Sequence, residues 1–325
     1  MEYLPNFELH QPHNLNDALK LTTERPEAVY VAGGTDMIVN IRRGIEQPKN
    51  LVNLTSIQEL KEITEVEGGL KIGTAVTLRE LGENQSVKKY FPAVSEAASS
   101  VAGPTHQQYG TVGGNLCLDT RCLFYNQSEW WRQSNDYCLK ERGDTCHVAP
   151  SGKRCFAAFS GDIAPSMLIY DAEVDVIGKT GSRRIPLKDL YSNDGMAHLT
   201  LEPGELVTLV NLPNTFAGDP SRYEKARIRG SIDFPLAGAA VRLRKKSDNT
   251  LEDLAIALTG VNTYPQIISG LEHLIGSKLG ESEFIQIKET VRKQAKPMRT
   301  TTVAPWYRRR VVGAIARRLA EELAV

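Results

Sequence analysis

Ala28-Val29-Tyr30-Val31-Ala32-Gly33-Gly34-Thr35-Asp36-Met37 is a short β-prone run that breaks into a glycine pair. Glycines let the backbone approach a ligand closely, and successive N–H groups in such a turn form an anion-binding nest. Thr35 adds a hydroxyl. A tight turn is the plainer reading of this motif alone. A second glycine-rich loop, Gly110-Thr111-Val112-Gly113-Gly114-Asn115, follows about 80 residues later. Two such loops suit the two phosphates of a dinucleotide, gripped from both sides. The spacing is not G-x-G-x-x-G with an acid about 20 residues on, so it is not the Rossmann fingerprint. No G-K-[ST] follows either, which excludes a P-loop.

Around these loops the first half alternates short strands and helices. Asn14 is placed to cap a helix over Leu15–Thr22. Asn50–Leu54 and Gly69–Gly73 read as strands, and Ser56–Ile63 as a short helix. Thr77 with Glu80 forms a capping-box signature, and Phe91–Val101 is a helix stopped by Gly103-Pro104. From Ala172 the period changes to two, in Ala172–Gly178, Arg183–Leu187 and Glu205–Pro213. Turn-forming residues fill 214–221, and the boundary falls there: 1–218 and 219–325. The last part reads as strands at Tyr223–Arg229, Ala237–Arg244 and Leu254–Gly260, then helices near 267–277, 282–296 and 305–323. The fold class expected is α+β.

Composition excludes several classes. The chain has 325 residues, 41% of them hydrophobic, with 39 basic and 39 acidic side chains. That is neither a disordered composition nor the charge of a protein built to hold nucleic acid or an anionic membrane. No apolar run approaches the roughly 20 residues of a membrane span, and the start lacks a secretory signal. A cytoplasmic protein with reduced thiols is expected. The nine basic residues without an acid between Arg292 and Arg318 read as a solvated helix face or a subunit contact.

The five cysteines all lie between Cys117 and Cys155. Cys122, Cys138, Cys146 and Cys155 are spaced C-x15-C-x7-C-x8-C, with Phe124, Tyr125, Trp130, Trp131 and Tyr137 among them. Four thiolates satisfy either tetrahedral zinc or a four-iron cluster. Zinc ribbons usually show tight C-x2–4-C pairs, which are absent here. On spacing alone iron–sulfur, zinc and unligated core cysteines all stay open. Cys117 reads as a small buried residue.

The two loops in this order, with Glu202-Pro203-Gly204-Glu205-Leu206-Val207 and Tyr223-Glu224-Lys225-Ala226-Arg227-Ile228-Arg229-Gly230 after them, resemble the FAD-binding subunits of the molybdenum hydroxylases, the xanthine oxidase family. The resemblance covers nearly the whole chain. It implies a two-part FAD-binding domain followed by a C-terminal α+β domain. It also implies FAD contacts from Val31, Ala32, Gly33, Gly34, Thr35, Asp36 and Met37, from Thr111, Gly114 and Asn115, and from Val207 and Lys225. Where the family often has Ile-Arg-Asn before the second loop, this chain has Thr105-His106-Gln107-Gln108-Tyr109. The family's aspartate after Gly-Gly-Asn matches Asp162 if residues of about 118–158 are an insertion; Asp119 is the competing assignment.

A flavoprotein subunit with a four-cysteine insertion resembles those of the 4-hydroxybenzoyl-CoA reductases. That likeness implies a [4Fe–4S] cluster on Cys122, Cys138, Cys146 and Cys155, and reduced ferredoxin as donor. It implies a molybdopterin-containing subunit and a small subunit with two [2Fe–2S] clusters as partners. Substrate chemistry would lie in a partner, so no catalytic acid or base is assigned here. Two alternatives stand beside this: the FAD subunit of a related hydroxylase with electrons leaving through FAD, and a non-redox nucleotide-binding module with structural zinc.

Overall fold

The computed structural model describes residues 4–325. Three sheets carry the chain. The first is parallel, in the order β1 (Glu8–His10), β3 (Asn50–Asn53), β2 (Val29–Val31). The helices Leu15–Glu24 and Met37–Arg42 make its crossovers. Asn14 caps the first of these, its side chain accepting from the Asp17 N–H.

The second sheet is antiparallel. Its order is β4 (Ile63–Val66), β5 (Gly69–Gly73), β8 (Leu206–Pro213), β6 (Glu173–Gly178), β7 (Gly181–Pro186). In β6, Val174, Val176 and Gly178 are buried while the residues between them are half-buried, the strict period of two that the sequence shows. Its inner face packs on the helices Pro92–Ser100 and Ile163–Leu168 in the largest core, where Phe91 meets Tyr170 edge-on at 5.0 Å. Thr77 and Glu80 form the expected capping box on Leu78–Glu83.

The third sheet, also antiparallel, runs β12 (Gln266–Ile267), β11 (Leu251–Thr259), β10 (Ala237–Lys245), β9 (Ser221–Ala226). It rests on the helices Glu281–Gln294 and Pro305–Ala324. β10 is buried on both faces: Ala239, Val241 and Leu243 enter the core of this sheet, whereas Ala240 enters the large core of the preceding region. One strand therefore stitches the two cores together.

Two expected helices are absent. Over 56–63 the chain makes two 3-10 turns, Leu54–Ser56 and Gln58–Leu60, with Ile57 extended between them and fully buried. Burying Ile57 outweighs continuing the helix. Over 267–277 there is a strand end and the 3-10 turn Glu272–Leu274, because Gly270 and Gly276 take positive φ. Arg308, read as one of a solvated basic run, is instead buried. It donates to the carbonyls of Leu236 (2.8 Å), Met298 (2.8 Å) and Gly260, anchoring the start of the last helix. Among the described residues no helix is long and apolar enough to cross a membrane.

Candidate flavin and cysteine sites

The two glycine loops meet. A Cβ on Gly33 would lie 1.7 Å from the Tyr109 carbonyl oxygen, so the backbones cross where only glycine fits. Gly34 takes φ +67°, a conformation that costs other residues roughly 1–2 kcal/mol. In the second loop the Thr111 hydroxyl accepts from the Gly114 N–H at 3.2 Å. Gly113 lies against Thr74, whose hydroxyl donates to the Val207 carbonyl at 2.8 Å. Val207 thus reaches the loop through its backbone; its side chain is in the large core. Val31 and Met37 pack beneath the first loop with Ile41 and Leu51.

Asn115 carries the arrangement onward. Its side-chain oxygen accepts from the Ile163 N–H at 3.1 Å, at the start of the helix that Asp162 precedes. The Asp162 carboxylate pairs with Lys225 at 2.9 Å and accepts from the Tyr223 hydroxyl at 2.7 Å. Both charged side chains are 3% exposed. Burial pushes the Asp162 carboxyl up, against the opposing pull of Lys225 and Tyr223. Tyr223 was not singled out by the sequence reading. Its signal was available, because Tyr223 and Lys225 are two apart on β9 and so share a face. Asp119, the competing aspartate, lies elsewhere: it pairs with Lys140 at 2.5 Å and stands 3.8 Å from His198.

Cys122, Cys138, Cys146 and Cys155 come together, each buried, around one small cavity also lined by Phe124, Tyr125, Lys140 and His147. All five cysteines are free, and Cys117 does not line that cavity. Burial raises the Cys122 thiol to about 12 and the Cys155 thiol to about 11, and pushes Cys138 up as well. The Ala157 N–H donates to the Cys155 sulfur at 3.4 Å, and the backbone N–H groups of Phe124 near Cys122 and of Lys140 and Glu141 near Cys138 act in the same sense. These donors oppose the effect of burial and favour thiolate. Among the described residues no group of three or more His, Cys, Asp or Glu side chains is arranged to hold a metal ion.

The insertion is not a free appendage. Arg132, fully buried, donates to Glu129 (2.6 Å), Glu141 (2.8 Å) and the Arg43 carbonyl (3.1 Å), just past the helix of the first glycine loop. Arg121 donates to Asp36 of that loop. The segment far along the chain that holds the cysteines thus leans on the loop assigned to FAD.

The family described as the FAD binding domain in molybdopterin dehydrogenase matches residues 5–215. The chain is an FAD-binding subunit of the molybdenum hydroxylase family. The CO dehydrogenase flavoprotein C-terminal domain matches residues 221–323. The chain is 31% identical over 250 residues to the FAD-binding subunit of an aldehyde oxidoreductase of Escherichia coli, covering 74% of this chain and 76% of that one. It is 27% identical over 259 residues to the carbon monoxide dehydrogenase medium chain of Hydrogenophaga pseudoflava, covering 79% and 75%. A solved structure of carbon monoxide dehydrogenase from Hydrogenophaga pseudoflava superposes with a TM-score of 0.80 at 22% identity, over 98% of this chain and 97% of that one. That last likeness establishes the fold.

Proposed function

We propose that this oxidoreductase subunit serves a molybdenum-containing reductase of the 4-hydroxybenzoyl-CoA reductase type, with FAD and a [4Fe–4S] cluster. The observation that carries this reading is the gathering of Cys122, Cys138, Cys146 and Cys155 round one buried cavity, with the Ala157 N–H donating to the Cys155 sulfur at 3.4 Å. A single zinc, with Zn–S near 2.3 Å, would draw four sulfurs to roughly 3.8 Å of one another. Four cysteine thiolates are also the ligand set of a [4Fe–4S] cluster. Bound FAD and cluster would supply the redox chemistry.

The chain's own work is to hold and tune. The four cysteines would ligate the cluster, with Phe124 and Tyr125 keeping water from it and backbone donors setting its potential. The loops Val31–Met37 and Thr111–Asn115 would hold the FAD diphosphate, with Asp162, Val207 and Lys225 nearer the ring or its hydroxyls. The flavin-binding part would be 1–218 and the C-terminal part 219–325. Reduced ferredoxin would be the donor. A molybdopterin subunit and a small subunit with two [2Fe–2S] clusters would complete a cytoplasmic complex. The net reaction would be 4-hydroxybenzoyl-CoA + 2 e⁻ + 2 H⁺ → benzoyl-CoA + H₂O. The names of the relatives favour a second reading, a hydroxylase subunit from which electrons leave through FAD.

Anaerobic metal and flavin analysis of the purified chain, with its absorption spectrum, separates these. About four irons and one FAD per chain support the reductase reading. One zinc with FAD removes the reason for choosing it and leaves the hydroxylase subunit.

A further inference from the structure

We propose that Arg121 is a diphosphate-binding residue of the flavin site and ties flavin binding to the cysteine insertion. This rests on the FAD-binding reading and is independent of what the cysteines hold.

Arg121 sits at the neck of the insertion. Its N–H donates to the Ala158 carbonyl at 2.7 Å and its carbonyl accepts from the Ala158 N–H at 2.8 Å, so the two ends of the excursion are zipped together here. The side chain leaves this neck for the first glycine loop. Nη2 donates to Asp36 Oδ1, while Asn40 Nδ2 donates to Asp36 Oδ2 at 3.1 Å. Both oxygens of Asp36 are thereby occupied. The guanidinium also lies over the Phe234 ring, 4.5 Å from its centre. That ring comes from the segment after Lys225, so three separate stretches of chain fix one arginine.

The remaining donors are unused. The side chain is 12% exposed, yet its Nε is buried with no partner, and the guanidinium makes no other hydrogen bond among the described residues. A guanidinium has five donors in a fork that matches phosphate oxygens. A buried donor without an acceptor costs free energy until one arrives. An unneutralised Asp36 carboxylate in a loop meant for a diphosphate would repel it. Arg121 cancels that charge and keeps donors to spare. The ligand class that fits is a dinucleotide diphosphate at the crossing of the glycine loops.

The test is titration of the deflavinated full chain with FAD, ADP and riboflavin, the last lacking any phosphate. Arg121→Gln is expected to weaken FAD and ADP by about 10- to 100-fold, the loss of a charged hydrogen-bond donor, and to leave riboflavin unchanged. Arg121→Lys should recover part of the ADP affinity. The proposal is overturned if R121Q binds ADP like the wild type. It is also overturned if FAD, ADP and riboflavin all weaken equally, the outcome for a mere brace. A wild-type chain that binds no FAD would instead overturn the flavin reading itself.

Discussion

Gly33→Ala tests whether the two glycine loops cross as described. The added Cβ would lie 1.7 Å from the Tyr109 carbonyl oxygen and 2.3 Å from its carbon. Ordinary contact needs about 3.5 Å, so the loops must part by more than ~1.5 Å. No side-chain rotation relieves the clash, because the partner is backbone. Overpacking of this kind costs about 1–3 kcal/mol, which lowers FAD affinity by roughly 5- to 150-fold if the parted loops no longer grip together. The assay is quenching of FAD fluorescence on the deflavinated chain, with thermal unfolding in parallel. Gly68→Ala is the control, since a Cβ there meets nothing within 4 Å. Gly34→Ala should fall between, losing about 1–2 kcal/mol to its positive φ. If G33A binds FAD as tightly as G68A and melts with it, the loops do not cross and the argument for a paired grip fails.

Lys225→Met should destabilise by about 3–5 kcal/mol, because it strands Asp162 in the interior. Asp162→Asn/Lys225→Met together should regain part of that loss, as read by urea unfolding; simple additivity of the two single changes would refute the pairing. Asp175 and Arg184 sit directly opposite on β6 and β7, bonded at 2.6 and 3.0 Å. Arg184 holds the Asp175 carboxyl below its usual range. Its stabilisation is therefore complete at neutral pH and lost as pH falls through that depressed value, below about 4. Asp175→Asn should cost about 1 kcal/mol at pH 7, and the gap to wild type should close in acid; a gap independent of pH would assign the effect to packing. Cys138→Ser should abolish bound iron while FAD stays near one per chain, since the contacts of the insertion with the first glycine loop run through Arg121 and Arg132. Loss of both cofactors together would mean that the cysteines, and not Arg121 alone, support the flavin site.

Much of this was local enough to be written in the chain. Strand period showed in Glu173–Gly178, caps in Asn14 and Thr77, and glycine spacing in both loops, because each depends on neighbours within a few residues. The chemistry of the insertion was visible in its four cysteines. Their convergence was not, since C-x15-C-x7-C-x8-C does not say how the intervening turns fold. The two missing helices have different roots: at 56–63 burial of Ile57 overrode the local helix pattern, whereas at 267–277 Gly270 and Gly276 in positive φ interrupt it. Arg308 reads as surface charge and is buried, because the carbonyls of Leu236 and Gly260 that satisfy it come from elsewhere in the chain. The residue types that could bind a dinucleotide and a metal cluster were set by sequence alone. Which aspartate faces Lys225, and that Arg121 reaches from the cysteines to the first glycine loop, was decided only in three dimensions. Those contacts span from 63 to 85 residues, and pairings at that range are selected by the packing of whole sheets and helices rather than by any local signal.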